Sequence, residues 1–235
     1  MTEAADPASR HFPVAVSAEA LALAWARREG APAGCTVVVD HEISPRGRLG
    51  RLWPHPAERT AVLAMVWRPG IAPEAADLVW SAASLGLSHA ADVLTAAATK
   101  VSWPDEVVDD AGRLVGAVRA EVQLGPGQVT SAIVTARLDL DRLDGRSRDA
   151  ALAAIATGLA DAADELGSDP ASVRAAVDER SALRGRRLIA HLLPKGEVRG
   201  RAGGIDERGA LDLVSSTGLH QRVPIAGFDR LTAVG

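Results

Sequence analysis

The segment from Ser44 to Trp53 constrains this chain most, because it alternates arginines with glycines and ends on an aromatic residue. Its charged and small residues are Arg46, Gly47, Arg48, Gly50 and Arg51. Glycine lets the backbone approach a ligand closely, and the planar arginine fork matches a phosphate or a carboxylate. The segment therefore predicts an anion-binding loop, although a short run of this kind by itself is also typical of a basic surface turn.

Composition indicates a globular chain without an overall positive charge. The 235 residues are 47% hydrophobic, which is enough for one sizeable core and a small second domain. The formal net charge of −4 at pH 7 argues against nucleic acid as a partner. Cys35 is the only cysteine and no long apolar run occurs, so we expect a cytoplasmic protein without membrane contact. The six histidines lack ligand spacing, and we expect no structural metal.

Local patterns predict the order of elements in the first part of the chain. Helical spacing predicts helices over residues 17–29, 73–98, 146–166 and 170–183. Apolar strands at 36–40 and 61–67 flank the arginine and glycine loop, and three strands of an antiparallel meander follow from residue 101. We therefore expect an α/β (α+β) fold, with a mixed, largely antiparallel sheet that carries helices on one face.

The pattern of predicted elements changes near residue 184. Short strands separated by glycine-rich turns follow, at 186–193, 197–203, 210–214 and 219–225. Strands of this length and spacing predict a small β-barrel. The chain is thus divided into a polar tail (1–10), a core (11–184) and a C-terminal barrel (185–235).

Several ordered motifs resemble the biotin–protein ligase family. The loop resembles that family's G-R-G-R-x-G-R-x-W segment, and residues 103–106 (Trp-Pro-Asp-Glu) stand where the family has W-P-N-D. Residues 113–116 (Arg-Leu-Val-Gly) stand where it has K-L-x-G, and residues 204–211 resemble its SH3-like C-terminal cap. The resemblance implies a catalytic core followed by an SH3-like domain. Only about ten polar residues precede the core, so we do not expect a DNA-binding repressor.

The resemblance also implies a chemistry. Members of the family join biotin to ATP as biotinyl-adenylate, release pyrophosphate, and transfer the acyl group to a lysine of a biotin carboxyl carrier domain. Cations must offset the charge that develops when two anions meet, and the implied catalytic residues are Arg48 and Arg113. The implied ligand-binding residues are Ser17, Arg46, Gly47, Arg48, Gly50, Arg51, Trp53, Trp103, Asp105, Gly116, Arg137 and Asp139. Whether Mg²⁺ binds near the acidic residues of the segment 105–110 stays an open question, as does whether the chain forms a homodimer.

Departures from the family pattern leave two hypotheses. The family's S-T-N reads Ser-Ala-Glu at residues 17–19, its glutamine before the loop falls on Glu42 or Ile43, and its G-x-G-x-N pattern reads Thr-Ala-Arg-Leu-Asp at 135–139. Strand alternation puts Thr135, Arg137 and Asp139 on the face that a ligand would need bare. The chain is either an active ligase or a weak or inactive one, repurposed to bind a carrier domain, a ligase partner or a small anionic ligand.

A strand register follows from the turn at residues 125–127. If this Gly-Pro-Gly turn sets Leu124 opposite Gln128, counting back along both strands sets Arg113 opposite Asp139. Facing side chains of opposite charge on neighbouring strands can form an ion pair. The sequence therefore predicts that Asp139 holds Arg113 away from an incoming carboxylate.

Overall fold

The computed structural model of the chain describes residues 8–95, 97–145 and 147–234. Four helices are present in this part, namely α1 (Ala18–Arg28), α2 (Leu78–Leu94), α3 (Arg148–Ser168) and α4 (Pro170–Glu179). The strands are β1 (Ser9–Ala15), β2 (Thr36–Glu42), β3 (Thr60–Trp67), β4 (Lys100–Ser102), β5 (Glu106–Val108), β6 (Leu114–Gly125), β7 (Gln128–Asp139), β8 (Arg187–Leu192), β9 (Glu197–Ile205), β10 (Leu211–Val214), β11 (His220–Val223) and β12 (Phe228–Val234).

The first seven strands form one sheet in the order β1-β2-β3-β7-β6-β5-β4. Strands β1 and β2 pair in parallel, and the other neighbouring pairs are antiparallel. This confirms the predicted mixed, largely antiparallel sheet. Strands β1 and β12 were not predicted, and the meander holds four strands rather than three.

Helices cover both faces of this sheet, so the expectation of helices on one face is wrong. Helices α2, α3 and α4 pack on the face that carries Leu63 and Met65 of β3. Helix α1 packs its Ala22 and Trp25 against Val62 and the other alternate residues of β3. Because β3 is buried on both sides, all eight of its residues are apolar or hydroxyl-bearing, and its sequence carries no alternation that would reveal the second layer.

The last five strands form a second sheet in the order β11-β10-β9-β8-β12, consistent with the predicted small C-terminal barrel. Leu188 and Phe228 of this sheet belong to the same apolar cluster as α2 and β6. The core therefore continues between the two sheets, and the boundary near residue 184 stays a prediction. Helix α2 begins at Leu78 rather than near 73, because residues 73–75 form a short 3₁₀ turn. Within the described ranges, no helix has the length and apolar character needed to span a membrane.

Strands β6 and β7 pair two residues away from the predicted register. The turn consists of two residues, with Gly125 paired to Gln128, and an irregularity between Gln123 and Leu124 shifts the pairing by one more residue. Each change moves the alignment by one position, and Arg137 consequently lies opposite Ala117. The predicted pairing of Arg113 with Asp139 is therefore wrong.

Candidate functional site

A cleft of about 450 Å³ lies between the arginine and glycine loop, the β5–β6 region and strand β12. Its apolar walls include Trp103 and Phe228. The charged residues that line it are Arg48, Arg51, Arg137, Arg230, Asp105 and Glu106. The excess of arginines over carboxylates favours an anionic ligand.

Arg48 joins the loop to the C-terminal sheet. Its side chain is buried, and it donates hydrogen bonds to the carbonyl oxygens of Phe228 (3.0 Å) and Asp229 (2.7 Å). Its guanidinium carbon lies 4.1 Å from the centre of the Phe228 ring, and its Nε lies 3.4 Å from an Asp105 carboxylate oxygen. Arg48 thus contacts backbone carbonyls, a ring and a carboxylate at once, and an incoming anion must compete with these contacts.

The other two arginines of the loop are also engaged. Arg51 donates to the Asp229 carboxylate at 2.6 Å and to the Asp229 carbonyl at 3.0 Å. Arg46 donates to the Ser44 hydroxyl and to the Gly50 carbonyl within the loop itself. The predicted anion-binding groups are therefore close together but paired, and Asp229 is the carboxylate that the loop holds.

Trp53 anchors the far end of the loop. It is buried, its Nε1 donates to the Thr60 hydroxyl at 2.8 Å, and its ring packs edge-on against His55. Within the loop, Gly50 has a φ of +72° and Leu49 a φ of +55°. Glycine adopts this left-handed region without steric cost, whereas leucine does so only at a cost in free energy. The contacts of the loop therefore hold it in a tight conformation.

Trp103 lies where the core meets the C-terminal sheet. Its ring stacks on Phe228 with centroids 4.9 Å apart, and its Nε1 donates to the Gly209 carbonyl. Burial raises the pKa of the neighbouring Asp105 to about 6, and the Arg48 charge offsets this only in part. The residues at 103–106 therefore link the loop, the core and the C-terminal sheet.

Arg137 fills the face of the sheet beneath the loop. Its side chain is 2% exposed, and its Nε and Nη2 lie 2.9 and 2.8 Å from Glu42 Oε2. The other Glu42 oxygen accepts from the backbone N–H of Ala18, at the start of α1. Glu42 is thus the residue directed into the site, whereas Ile43, the other candidate for the family glutamine, is 66% exposed.

A second ion pair lies beside the first. Arg119 Nε is 2.7 Å from the carboxylate of Glu19, and Arg119 also donates to the carbonyl of Gly47 in the loop. Burial raises the pKa of Glu19. Thr135 lies opposite Arg119 and is fully buried, and its hydroxyl has no hydrogen-bond partner within the described residues. Polar side chains therefore occupy the face that the resemblance implies is bare.

Arg113 and Asp139 are held by other partners. Arg113 is exposed and pairs with Asp109 at 2.7 Å, outside the cleft. The fully buried carboxylate of Asp139 is 2.9 Å from Arg59, and His55 and Arg142 lie within 3.7 Å. The structure thus does not bring Arg113, an expected catalytic residue, to the other candidates.

Ser17 and Gly116 have structural roles in their present contacts. The Ser17 hydroxyl accepts from Ala20 N and caps α1, and Ser17 does not line the cleft. A Cβ at Gly116 would lie 2.6 Å from the Arg137 carbonyl and 2.7 Å from a Leu138 methyl group, so close strand packing requires glycine there. Their expected roles toward a ligand stay predictions.

The acidic cluster at 105–110 is divided among separate partners. Asp105 faces Arg48, Asp109 pairs with Arg113, and Asp110 pairs with Lys100. No group of three or more metal-ligating side chains occurs in the described part of the chain. This arrangement gives Mg²⁺ no ready set of ligands.

Sequence reasoning missed Phe228, Asp229 and Arg119. Phe228 and Asp229 contact Arg48 across about 180 residues of sequence, so no local pattern connects them. One feature of the sequence singled out Phe228, because it is one of only two phenylalanines in the chain. Arg119 was accessible from the sequence, because alternation along β6 puts it on the same face as Arg113 and Ala117 in either register.

No family model matches the chain. The bifunctional ligase/repressor BirA of Bacillus subtilis is 30% identical over 140 residues, which covers 57% of this chain and 41% of that protein. The chain thus spans about two fifths of the length of the curated relatives it matches.

Solved structures show the same fold. The biotin protein ligase of Aquifex aeolicus, in complex with biotin and ATP, aligns with a TM-score of 0.74 over 97% of this chain and 99% of that chain, at 16% identity. A biotin protein ligase-like protein of unknown function from a Silicibacter species aligns with a TM-score of 0.72 at 14% identity, over 94% and 95% of the two chains. These alignments show a shared fold. Together with the partial sequence match to BirA, they confirm the resemblance to the biotin protein ligases.

Proposed function

We propose that this chain is a repurposed protein of the biotin protein ligase fold, which binds a small anionic ligand in its cleft and binds biotin weakly or not at all. The observation that carries this proposal is the buried ion pair of Arg137 with Glu42 beneath the loop. The pair stands where the resemblance implies a bare glycine and a neutral glutamine. An uncharged part of a ligand, such as the ring system of biotin, that needs this space must first displace a paired guanidinium.

The energetics of a buried pair support weak biotin binding. Separating Arg137 from Glu42 leaves a buried charge without its partner, which costs about 3–5 kcal/mol. At 1.4 kcal/mol for each factor of ten, this corresponds to a loss of roughly two to three and a half orders of magnitude in affinity. Arg119 with Glu19 adds a second pair that would have to move.

The charges of the cleft support an anionic ligand. Arg51 and Arg230 lie at its wall with their side chains more than half exposed, and both pair with Asp229. An anion can replace Asp229 at these donors without entering the filled core face. Guanidinium groups prefer phosphate or carboxylate because both accept two parallel hydrogen bonds.

Calorimetric titration with biotin, AMP and pyrophosphate tests the proposal. We expect measurable heat with AMP or pyrophosphate and little or none with biotin. An Arg51→Ala variant should weaken anion binding by about 1.5–3 kcal/mol, the value of a charge-assisted contact. Arg222→Ala, which removes an exposed arginine outside the cleft, is the matched control. Tight biotin binding by the unmodified protein would contradict the proposal.

An active biotin ligase is the second candidate, favoured by the shared fold and by the loop with its anchoring Trp53. In this case Arg48 and Arg51 would stabilise the adenylate, and a carrier domain would be the acceptor. Biotin-dependent exchange of labelled pyrophosphate into ATP decides between the two candidates. Exchange clearly above a blank without biotin supports the ligase, and its absence at high protein concentration supports the repurposed protein.

A further inference from the structure

The C-terminal sheet carries a second charged surface, separate from the cleft. On β8 and β9, Arg187 lies directly opposite Arg201, and Ile189 lies opposite Arg199. All three arginines are exposed. They line a groove of about 540 Å³ together with Ile189, Val214 and Val234. We call this surface, defined by these six residues, the basic face.

The basic face is unfavourable for the isolated fold. Like charges directly opposite each other on neighbouring strands destabilise a sheet. Arg199 has a carboxylate partner, Glu197, whereas Arg201 donates to a backbone carbonyl. The side chain of Arg187 makes no hydrogen bond or ion pair with the residues that the structure describes. The surface therefore holds more positive charge than its neighbours neutralise, in a chain whose net charge is −4.

Protection of a sheet edge does not explain these arginines. Proteins place charged residues on edge strands to prevent pairing with other chains. Strands β8 and β9 are inner strands of the order β11-β10-β9-β8-β12. Their hydrogen-bonding groups are already paired on both sides, so the opposed arginines serve no such purpose there.

We propose that the basic face docks an acidic polypeptide segment of a partner protein. The carboxylates of the segment pair with Arg187, Arg199 and Arg201, and its apolar side chains cover Val214 and Val234. In an extended strand, alternate residues project to one side about 7 Å apart, which matches the spacing of Arg199 and Arg201 along β9. Guanidinium groups bind carboxylates through two parallel hydrogen bonds.

The composition of the surface favours a polypeptide over nucleic acid. Single-stranded nucleic acid is bound by aromatic side chains on which the bases stack. No aromatic residue lines this groove, and its non-charged members are mostly aliphatic. The interaction is independent of the anion-binding cleft, since Arg187, Arg199 and Arg201 do not line that cleft.

The test measures fluorescence anisotropy with a labelled octapeptide that alternates glutamate with valine. We expect the full chain to bind it at low ionic strength, and the Arg187→Gln/Arg201→Gln variant to bind about tenfold more weakly or worse. Arg222→Gln, which lies on the same sheet but outside the basic face, should change affinity by less than about twofold. The thermal midpoint of the double variant should equal or exceed that of the parent, because the opposed arginines are gone.

A charge reversal gives the complementary result. Arg187→Glu/Arg201→Glu should lose the glutamate–valine peptide and gain binding of an octapeptide that alternates lysine with valine. Three outcomes overturn the proposal. They are no binding of the acidic peptide by the parent, undiminished binding by the double glutamine variant, and binding of a single-stranded RNA oligonucleotide as tight as that of the acidic peptide.

Discussion

A double-mutant cycle on Arg137 and Glu42 tests whether the core face is closed by a coupled pair. Arg137→Met leaves a nearly fully buried carboxylate that retains only the N–H of Ala18, and should lower the free energy of unfolding by about 3–5 kcal/mol. Glu42→Gln leaves the guanidinium unpaired and should cost a similar amount, toward the low end because glutamine still accepts from Ala18. The double variant buries no charge and should lose less than either single variant.

The coupling energy is the quantity to measure. Urea unfolding followed by tryptophan fluorescence gives the coupling energy, provided that the free energy of unfolding has the same slope against urea concentration in all four proteins. These are the parent, the two single variants and the double variant. We expect a coupling of about 2 kcal/mol or more for Arg137 and Glu42. The exposed pair of Arg10 with Glu29, which is shorter at 2.6 Å than the 2.8 Å of the buried pair, is the control and should give about 1 kcal/mol or less. Additive effects at Arg137 and Glu42 would refute the coupled pair.

The same residues connect stability to ligand choice. Arg137→Gly/Glu42→Gln removes the guanidinium from the ligand face and restores a neutral amide. We expect this variant to gain roughly two orders of magnitude in biotin affinity over the parent, as estimated from the cost of breaking the pair. A folded variant that still ignores biotin would show that Arg137 does not exclude it.

Three further predictions concern the cleft. Asp229→Asn should tighten AMP binding several-fold in calorimetry, because it removes the carboxylate that competes for Arg51, whereas Asp212→Asn should not. Between about pH 4 and 6 the folded state binds a proton at Asp105 more readily than the unfolded state does, so the free energy of unfolding should fall by about 2 kcal/mol as pH rises through this window. Asp105→Asn should flatten that profile in urea unfolding at several pH values, and an unchanged profile would contradict the assignment. A chain ending at Arg184 should keep its core secondary structure by circular dichroism but lose AMP binding with strand β12, and global unfolding would place the boundary elsewhere.

Local chemistry made part of the site predictable. The period of two along β7 correctly put Thr135, Arg137 and Asp139 on one face, since this alternation depends only on strand geometry. This inference succeeded because it depends only on residues that are neighbours in sequence.

The pairing of the strands was harder to predict from the sequence. The Gly-Pro-Gly segment is compatible with a turn of two or three residues, and the structure uses two, with Gly127 at a φ of +73°. The irregularity near Leu124 then adds a further shift that no turn residue signals. Errors of one residue at each place moved Arg113 away from Asp139, and in its place Arg59, which is distant in sequence, supplies the cation.

The loop shows why a motif predicts a chemistry more readily than a function. Its arginines do bind oxygen atoms as the motif implies, but those of Arg48 and Arg51 belong to Phe228, Asp229 and Asp105 of the same chain. Any external anion must therefore be compared with these internal acceptors rather than with water. A substitution cannot remove the backbone carbonyls, whereas it can remove the Asp229 carboxylate. We therefore expect Asp229 to be the main residue that sets how well an external anion competes for the loop arginines. We thus expect a carboxylate in the last strand to control what a loop near the first strands can bind, and only the folded chain brings the two together.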